Sequence, residues 1–150
     1  IMEWADFVTV HALPGEGILK GLFENISDRS AFLLAKMSSK GNLMNEAYTR
    51  NVFSMGEKHA EHVSGYICHA NSKEDLRKLK SKIPNGQLML MPGVKLTAGN
   101  DATGQQYTSV EDAMEGGADC IVVGRGIVES DKPGETAKEY KEMAWKIYNA

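Results

Sequence analysis

Residues 120–127 read CIVVGRGI: four apolar residues, then an arginine between two glycines. A run without a polar residue has no side made for water. It predicts a strand buried on both faces, as in a parallel sheet covered by helices. Gly124 and Gly126 leave the strand's C-terminal edge without side chains, so a ligand could approach the backbone there. Arg125 offers a planar fork of donors suited to phosphate or carboxylate. Taken alone, these eight residues fit a strand and turn carrying a surface arginine better, because short glycine motifs are weak signals.

Four more apolar runs precede this one: 7–12 (FVTVHA), 32–37 (FLLAKM), 63–69 (VSGYICH) and 88–91 (LMLM). Their starts, with 120, recur every 25 to 32 residues, the size of one strand–helix unit. Helical patterning fills the gaps. Residues 17–25 carry Ile18, Leu19 and Leu22 on one face, and 45–59 a less tidy face of Ala47, Val52, Met55 and Lys58. Residues 71–82 open with Asn71-Ser72 as cap, place Glu74 and Asp75 in the first turn and gather lysines toward the end, as a helix dipole favours. A helix from Ser109 closes at Gly116-Gly117, and a last one over 135–149 turns Ala137, Tyr140, Ala144, Ile147 and Tyr148 inward. Alternation of this kind predicts an α/β fold with right-handed crossovers. No GxGxxG or P-loop follows a strand, and a complete eight-unit barrel needs ~250 residues. The 150 residues have room for five units.

Composition narrows the function classes. Hydrophobic residues make up 42%, charged residues 25% and the net charge is −3, with no Lys/Arg block to suggest a nucleic acid or anionic membrane partner. No apolar run approaches membrane-spanning length. Cys68 and Cys120 both sit in apolar runs and are expected to be buried thiols in a reducing, cytoplasmic setting. Trp4 and Trp145 are expected to pack, and the eight methionines to fill core. The chain opens Ile1-Met2-Glu3-Trp4 and enters an apolar run by Phe7, so we expect a piece of a longer protein.

His11, Ser38, Pro92-Gly93 and Gly124-Arg125 all fall at or just beyond strand C-termini, the edge where parallel α/β folds bind ligands. His11 fits either a site residue or a packed or surface histidine. His59, His62 and His69 lack metal-ligand spacing and receive no role.

The stretches HALPGEGILKGL (11–22), MSSKGNL (37–43), MPGVKL (91–96), GQQYTS (104–109) and VGRGI (123–127) resemble the orotidine 5′-monophosphate decarboxylase family. They are most similar to its fungal and animal form, which occurs fused to orotate phosphoribosyltransferase in UMP synthase. GQQY followed by VGRG is the specific part. The resemblance implies a (β/α)8 TIM barrel of which residues 1–150 supply the C-terminal five units, strands four to eight. It implies conversion of orotidine monophosphate (OMP) to UMP and CO2 without metal or organic cofactor, in a homodimer with sites at the interface. Ser38 would hydrogen-bond the pyrimidine near the departing carboxylate, and Pro92 would pack on the base. Gln105 and Tyr107 would close over base and phosphate from a mobile loop. Gly124 and Arg125 would bind the phosphate. The connection 94–108 is then a lid with Gly99 and Gly104 as hinges, whose closure is driven by phosphate binding.

Two departures stand out. The family's Lys/Asp array, a DxKxxD motif on the third barrel strand and a lysine on the second, does not occur in this sequence. Lys73-Glu74-Asp75 and Glu139-Tyr140-Lys141-Glu142 fall in solvated helical patterning instead. The chain alone is therefore expected to be inactive and to need an N-terminal segment of the same enzyme, which would also carry the aspartate lent to the partner subunit. Lys36 stands where such members carry glutamate. Strand alternation puts it on the face of Ser38, one layer deeper, where a buried ammonium needs an acidic partner. A non-catalytic nucleotide- or phosphate-binding half barrel is the alternative reading. Another phosphate-handling barrel decarboxylase or epimerase is a third, against which GQQY and MSSKG argue.

Overall fold

A computed structural model describes residues 3–102 and 104–150. Five strands, β1 (Phe7–His11), β2 (Ser30–Leu34), β3 (Val63–Ile67), β4 (Leu88–Pro92) and β8 (Cys120–Val122), form one sheet in the order β1-β2-β3-β4-β8. Every neighbouring pair is parallel. Helices α1 (Gly17–Phe23), α2 (Glu46–Lys58) and α3 (Lys73–Lys80) separate the first four strands. A second small sheet, β5 (Val94–Lys95), β6 (Gly99–Asn100) and β7 (Gln106–Ser109), lies between β4 and α4 (Val110–Glu115). After β8 come a short α5 (Arg125–Val128) and the final α6 (Pro133–Tyr148).

The helix starts follow from their caps. Asn45 Oδ1 accepts the Tyr48 N–H at 2.9 Å, Ser72 Oγ that of Asp75 at 3.2 Å and Ser109 Oγ that of Asp112 at 3.0 Å. In α3 the acids Glu74 and Asp75 occupy the first turn and Arg77, Lys78 and Lys80 the last, the order the dipole favours. In α2 the inward face is Thr49, Val52, Phe53 and Gly56, whereas Ala47 and Lys58 are exposed, contrary to the sequence reading. Thr49 is drawn inward because its hydroxyl donates to the Ala35 carbonyl at 2.8 Å.

Strand alternation sorts the sheet into two unlike faces. Val10, Ala31, Leu33, Ala35, Tyr66, Cys68, Met89 and Met91 are buried under the helices with Leu19, Val52 and Leu76. The register puts Phe7, Leu34, Ile67, Leu90, Cys120 and Val122 on the other face. That face is open: Phe7 is 56% exposed and Val122 45%. The expectation that 120–123 is buried on both faces, and that Cys120 is a buried thiol, is therefore wrong: Cys120 is exposed and Cys68 buried. β8 is an edge strand with helix cover on one side, and its own residues cannot reveal what lies opposite. Trp4 and Trp145, expected to pack, are 75% and 62% exposed. Tyr148 is exposed too and stacks on Trp145, because α6 packs on α4 and α5 through Tyr140 and leaves this side to solvent.

One buried polar network spans the core. The Tyr66 hydroxyl donates to Gln87 Oε1 at 2.6 Å, and Gln87 Nε2 donates to the Gly56 and Val63 carbonyls, each at 2.9 Å. Burial pushes the Tyr66 hydroxyl well above the ordinary phenol range, so it remains a donor. Tyr66→Phe leaves the buried Gln87 oxygen without this donor and should cost about 1–3 kcal/mol. A urea titration should show a lower midpoint at unchanged slope. Burial also pushes the Cys68 thiol up to about 12. Native chain treated with iodoacetamide at about pH 8 should gain one adduct, at Cys120, with Cys68 reacting only after unfolding.

Candidate functional site

The C-terminal edge of the sheet is closed over by the 94–108 connection. Read in the sequence as a long lid without structure, it instead forms the small sheet: β5 pairs with β7 in parallel and β6 with β7 antiparallel. It is fastened to the segment after β2. Ser39 and Gln105 form an antiparallel bridge, the Gln106 N–H donates to Ser38 O at 3.2 Å and the Lys40 N–H to Gly104 O at 2.9 Å. The two stretches MSSKG and GQQY thus meet backbone to backbone.

Gly93 makes this approach possible. It adopts φ +73°, and a Cβ there would lie 2.8 Å from Gln106 O, 2.9 Å from Gln105 Nε2 and 3.0 Å from Ser38 Cβ. No other residue fits that gap without moving all three neighbours. The Gly93 carbonyl also accepts the Thr108 N–H at 2.9 Å, which starts the β5–β7 pairing.

Pro92, Gln105, Tyr107, Gly124 and Arg125, five of the residues singled out in the sequence, line one cleft of about 170 Å³ together with Gly93. Ser38, buried, joins them through Gln105, whose Nε2 donates to its Oγ at 2.5 Å. Tyr107 stands at the centre of the charged end. Its ring has Lys95 Nζ 4.1 Å and Arg125 Cζ 5.8 Å from its centroid. Burial, followed by the hydrogen bond to Asp101, raises the Tyr107 hydroxyl above its usual range, so it acts as a neutral donor. The cleft therefore combines an amide, a serine hydroxyl, a phenol and a guanidinium. Such a set has the chemistry to suit a polar, anionic small molecule.

Three residues of this neighbourhood were not found in the sequence. Asp101 Oδ2 accepts from the Tyr107 hydroxyl at 2.9 Å and pairs with Arg125 Nη1 at 2.7 Å, while its Oδ1 accepts the Gln105 N–H at 3.0 Å. Lys95 is visible only through its place in MPGVKL, two residues beyond the close approach. His69, given no role, is buried under Pro92 with Nδ1 3.0 Å from its carbonyl oxygen and Nε2 3.1 Å from Asn71 Oδ1. These two contacts tie the end of β4 to Asn71 through the His69 ring.

Of the readings open for His11, the surface one holds: it lies exposed at the end of β1, an edge away from β8, and does not line the cleft. One expectation does not survive. Lys36 does not continue the alternation of β2. The N–H groups of Ala35 and Lys36 both donate to Ile67 O, at 3.0 and 3.2 Å, which breaks the strand's period at that point. Lys36 lines a larger cavity of about 760 Å³ between α2 and α3, alongside Asn45, Thr49, Phe53 and Lys82, and is half-buried there. Among the described residues no carboxylate lies within ion-pair distance of it. That cavity lies on the helix side of the sheet and contains none of the strand-end residues, so its size does not make it the site.

A family model described as orotidine 5′-phosphate decarboxylase / HUMPS family matches residues 1–140. The uridine 5′-monophosphate synthase of Bos taurus is 41% identical over 99% of this chain and 30% of its own length. Orotidine 5′-phosphate decarboxylases of Magnusiomyces magnusii and Rhizopus oryzae are 33% and 38% identical over 99% of this chain, covering 57% and 55% of theirs. The chain thus spans little more than half of these fungal relatives. The crystal structure of orotidine 5′-phosphate decarboxylase from Pyrococcus horikoshii OT3 superimposes with a TM-score of 0.73 at 24% identity, over 95% of this chain and 62% of that one. This likeness in fold agrees with the parallel α/β sheet described above. Model and relatives together establish that the chain belongs to the orotidine 5′-phosphate decarboxylase / HUMPS family.

Proposed function

We propose that this chain is the base- and phosphate-binding side of an orotidine 5′-monophosphate decarboxylase, corresponding to barrel strands four to eight. The observation that carries the reading is the convergence of Ser38, Gln105, Tyr107 and Arg125 at one strand-end cleft. Ser38 and Gln105 face the pyrimidine, with Pro92 packed against it. Tyr107 and Arg125, with the Gly124 backbone leaving room, hold the 5′-phosphate. Phosphate lies remote from the bond that breaks, so its binding energy serves to keep the 94–108 lid over the base and to exclude water.

Decarboxylation also needs an acid to protonate the carbanion left by CO2, and no DxKxxD segment occurs in the sequence. An N-terminal segment of the same enzyme bearing it completes the barrel, and the completed enzyme works as a cytoplasmic homodimer on OMP. Two features favour a complement of this kind. The sheet ends in two edge strands, β1 and β8, and its open face carries Phe7, Leu88 and Val122 exposed. Unpaired edges and bare apolar faces invite a partner. A nucleotide-binding half barrel without chemistry is the second reading, favoured by the missing acid–base array itself.

Co-expression with the preceding segment of a fungal relative tests the choice. OMP turnover by the pair, absent from either part alone, is the expected result, along with protection of Cys120 from alkylation once β8 gains a neighbour. UMP binding by the lone chain, with no turnover in the pair, would instead favour the binding module. Arg125→Ala should weaken UMP binding by roughly 10- to 100-fold, the worth of a hydrogen bond to a charged group. Calorimetric titration of UMP and of uridine should show that loss for the nucleotide only.

A further inference from the structure

Lys95 stands at the root of the 94–108 connection with its charge unmatched. Val94 and Lys95 form β5 and pair with Thr108 and Ser109 of β7. Strand alternation buries Val94 and Thr108 on one face of the small sheet and turns Lys95 and Tyr107 to the other, where both are half-buried. The mount is fixed beyond this pairing. The next residue, Leu96, donates its N–H at 3.1 Å to the hydroxyl of Tyr140, a buried residue of α6. Carried on that mount, Lys95 Nζ lies over the Tyr107 ring, 4.1 Å from its centroid. Arg125 approaches the same ring from the turn after β8, with Cζ at 5.8 Å.

The charges around Tyr107 decide what this end of the cleft can hold. Arg125 is matched by Asp101, whose Oδ2 lies 2.7 Å from Nη1, and the Tyr107 hydroxyl is neutral. Among the described residues no carboxylate lies within ion-pair distance of Lys95. A phosphate monoester carries a charge of about −1.5 to −2 at neutral pH. Arg125 and Asp101 sum to zero whichever partner the guanidinium takes. Of the groups touching Tyr107, the positive charge left to meet the phosphate is that of Lys95. Resting on the assignment of Tyr107 and Arg125 to phosphate given above, we propose that Lys95 sets the specificity of this cleft for a phosphorylated nucleoside over a neutral one. It is a positioning residue: its ammonium holds the Tyr107 ring and supplies the unmatched charge. Lys95 and Tyr107 belong to the lid, whereas Arg125 follows β8. A phosphate attracted by both sides therefore draws the lid onto the strand ends, in the sense of phosphate-driven closure.

Calorimetric titration of UMP and of uridine into the full 150-residue chain tests the role. Lys95→Met keeps the length of the side chain and its packing on the ring but removes the charge, and Lys95→Arg keeps the charge. Lys95→Met should bind UMP about fivefold more weakly, the worth of a cation–π contact at a partly exposed site. Uridine binding should be unchanged, and the UMP loss should shrink at high salt. Lys95→Arg should bind as the parent does. Lys82→Met, which removes a charge from the α2–α3 cavity, should leave UMP binding unaltered. Suppose Lys95→Met matches the parent, loses UMP and uridine alike, or loses no more than Lys82→Met, with Arg125→Ala still impaired. The role of Lys95 is then overturned and the phosphate assignment stands. Arg125→Ala binding UMP as well as the parent, or no binding by any of the proteins, overturns both. Circular dichroism confirms that each variant is folded, and Lys95→Gln decides the matter should Lys95→Met fail to fold.

Discussion

The site rests on the close approach at Gly93. There the end of β4, the lid at Gln105–Gln106 and the strand-end serine Ser38 come within van der Waals reach of one backbone. A residue without a side chain, in a conformation of positive φ, is the condition for that meeting. The placing of Ser38, Gln105 and Tyr107 follows from it. The Gly93 carbonyl starts β7, β7 carries Tyr107, and the bridge from 38–40 to 104–106 brings Gln105 onto Ser38. Segments distant in sequence are thus held by main-chain hydrogen bonds, whose geometry tolerates little slack. Side chains mounted on them inherit that precision, as a polar recognition site requires.

A second constraint is the inequality of the two sheet faces. Helices, caps and the Tyr66–Gln87 network build a dry core on one side. The other side presents apolar strand residues without cover, and its two edges lack neighbours. A half-covered parallel sheet is uncommon because its crossovers normally leave no face bare. The cleft lies at the C-terminal end of β4 and β8, next to the open edge, so whatever pairs with β8 also borders the cleft.

Much of this could be read along the chain, and the exceptions share a cause. Alternation of apolar runs with capped helices located all five sheet strands and all the long helices, because both signals are local: two-residue or 3.6-residue periods and side-chain caps. The strand-end residues Pro92, Gly93, Gly124 and Arg125 of the cleft were legible for the same reason, whereas Gln105 and Tyr107 came only through the family resemblance. Non-local effects were out of reach. β5, β6 and β7 are only two to four residues long and owe their pairing to Gly93 and Ser38, far off in sequence. Asp101 belongs to none of the motifs read in the sequence, and only the fold sets it against Arg125. Lys36 was placed by extending a period that the shared Ile67 carbonyl cuts short. Cys120 was judged buried from its neighbours in sequence, whereas burial depends on what stands opposite.

The measurement that most directly tests where this chain recognises its ligand is a titration of UMP into isotope-labelled chain, followed by amide chemical shifts. The account requires the shifts to cluster at 38–40, 92–95, 101–107 and 124–126, with the α2–α3 cavity and the turns at 25–29 and 116–119 unmoved. Shifts concentrated instead around Lys36, Asn45 and Lys82, or none near Tyr107 and Arg125 at saturating UMP, would contradict it.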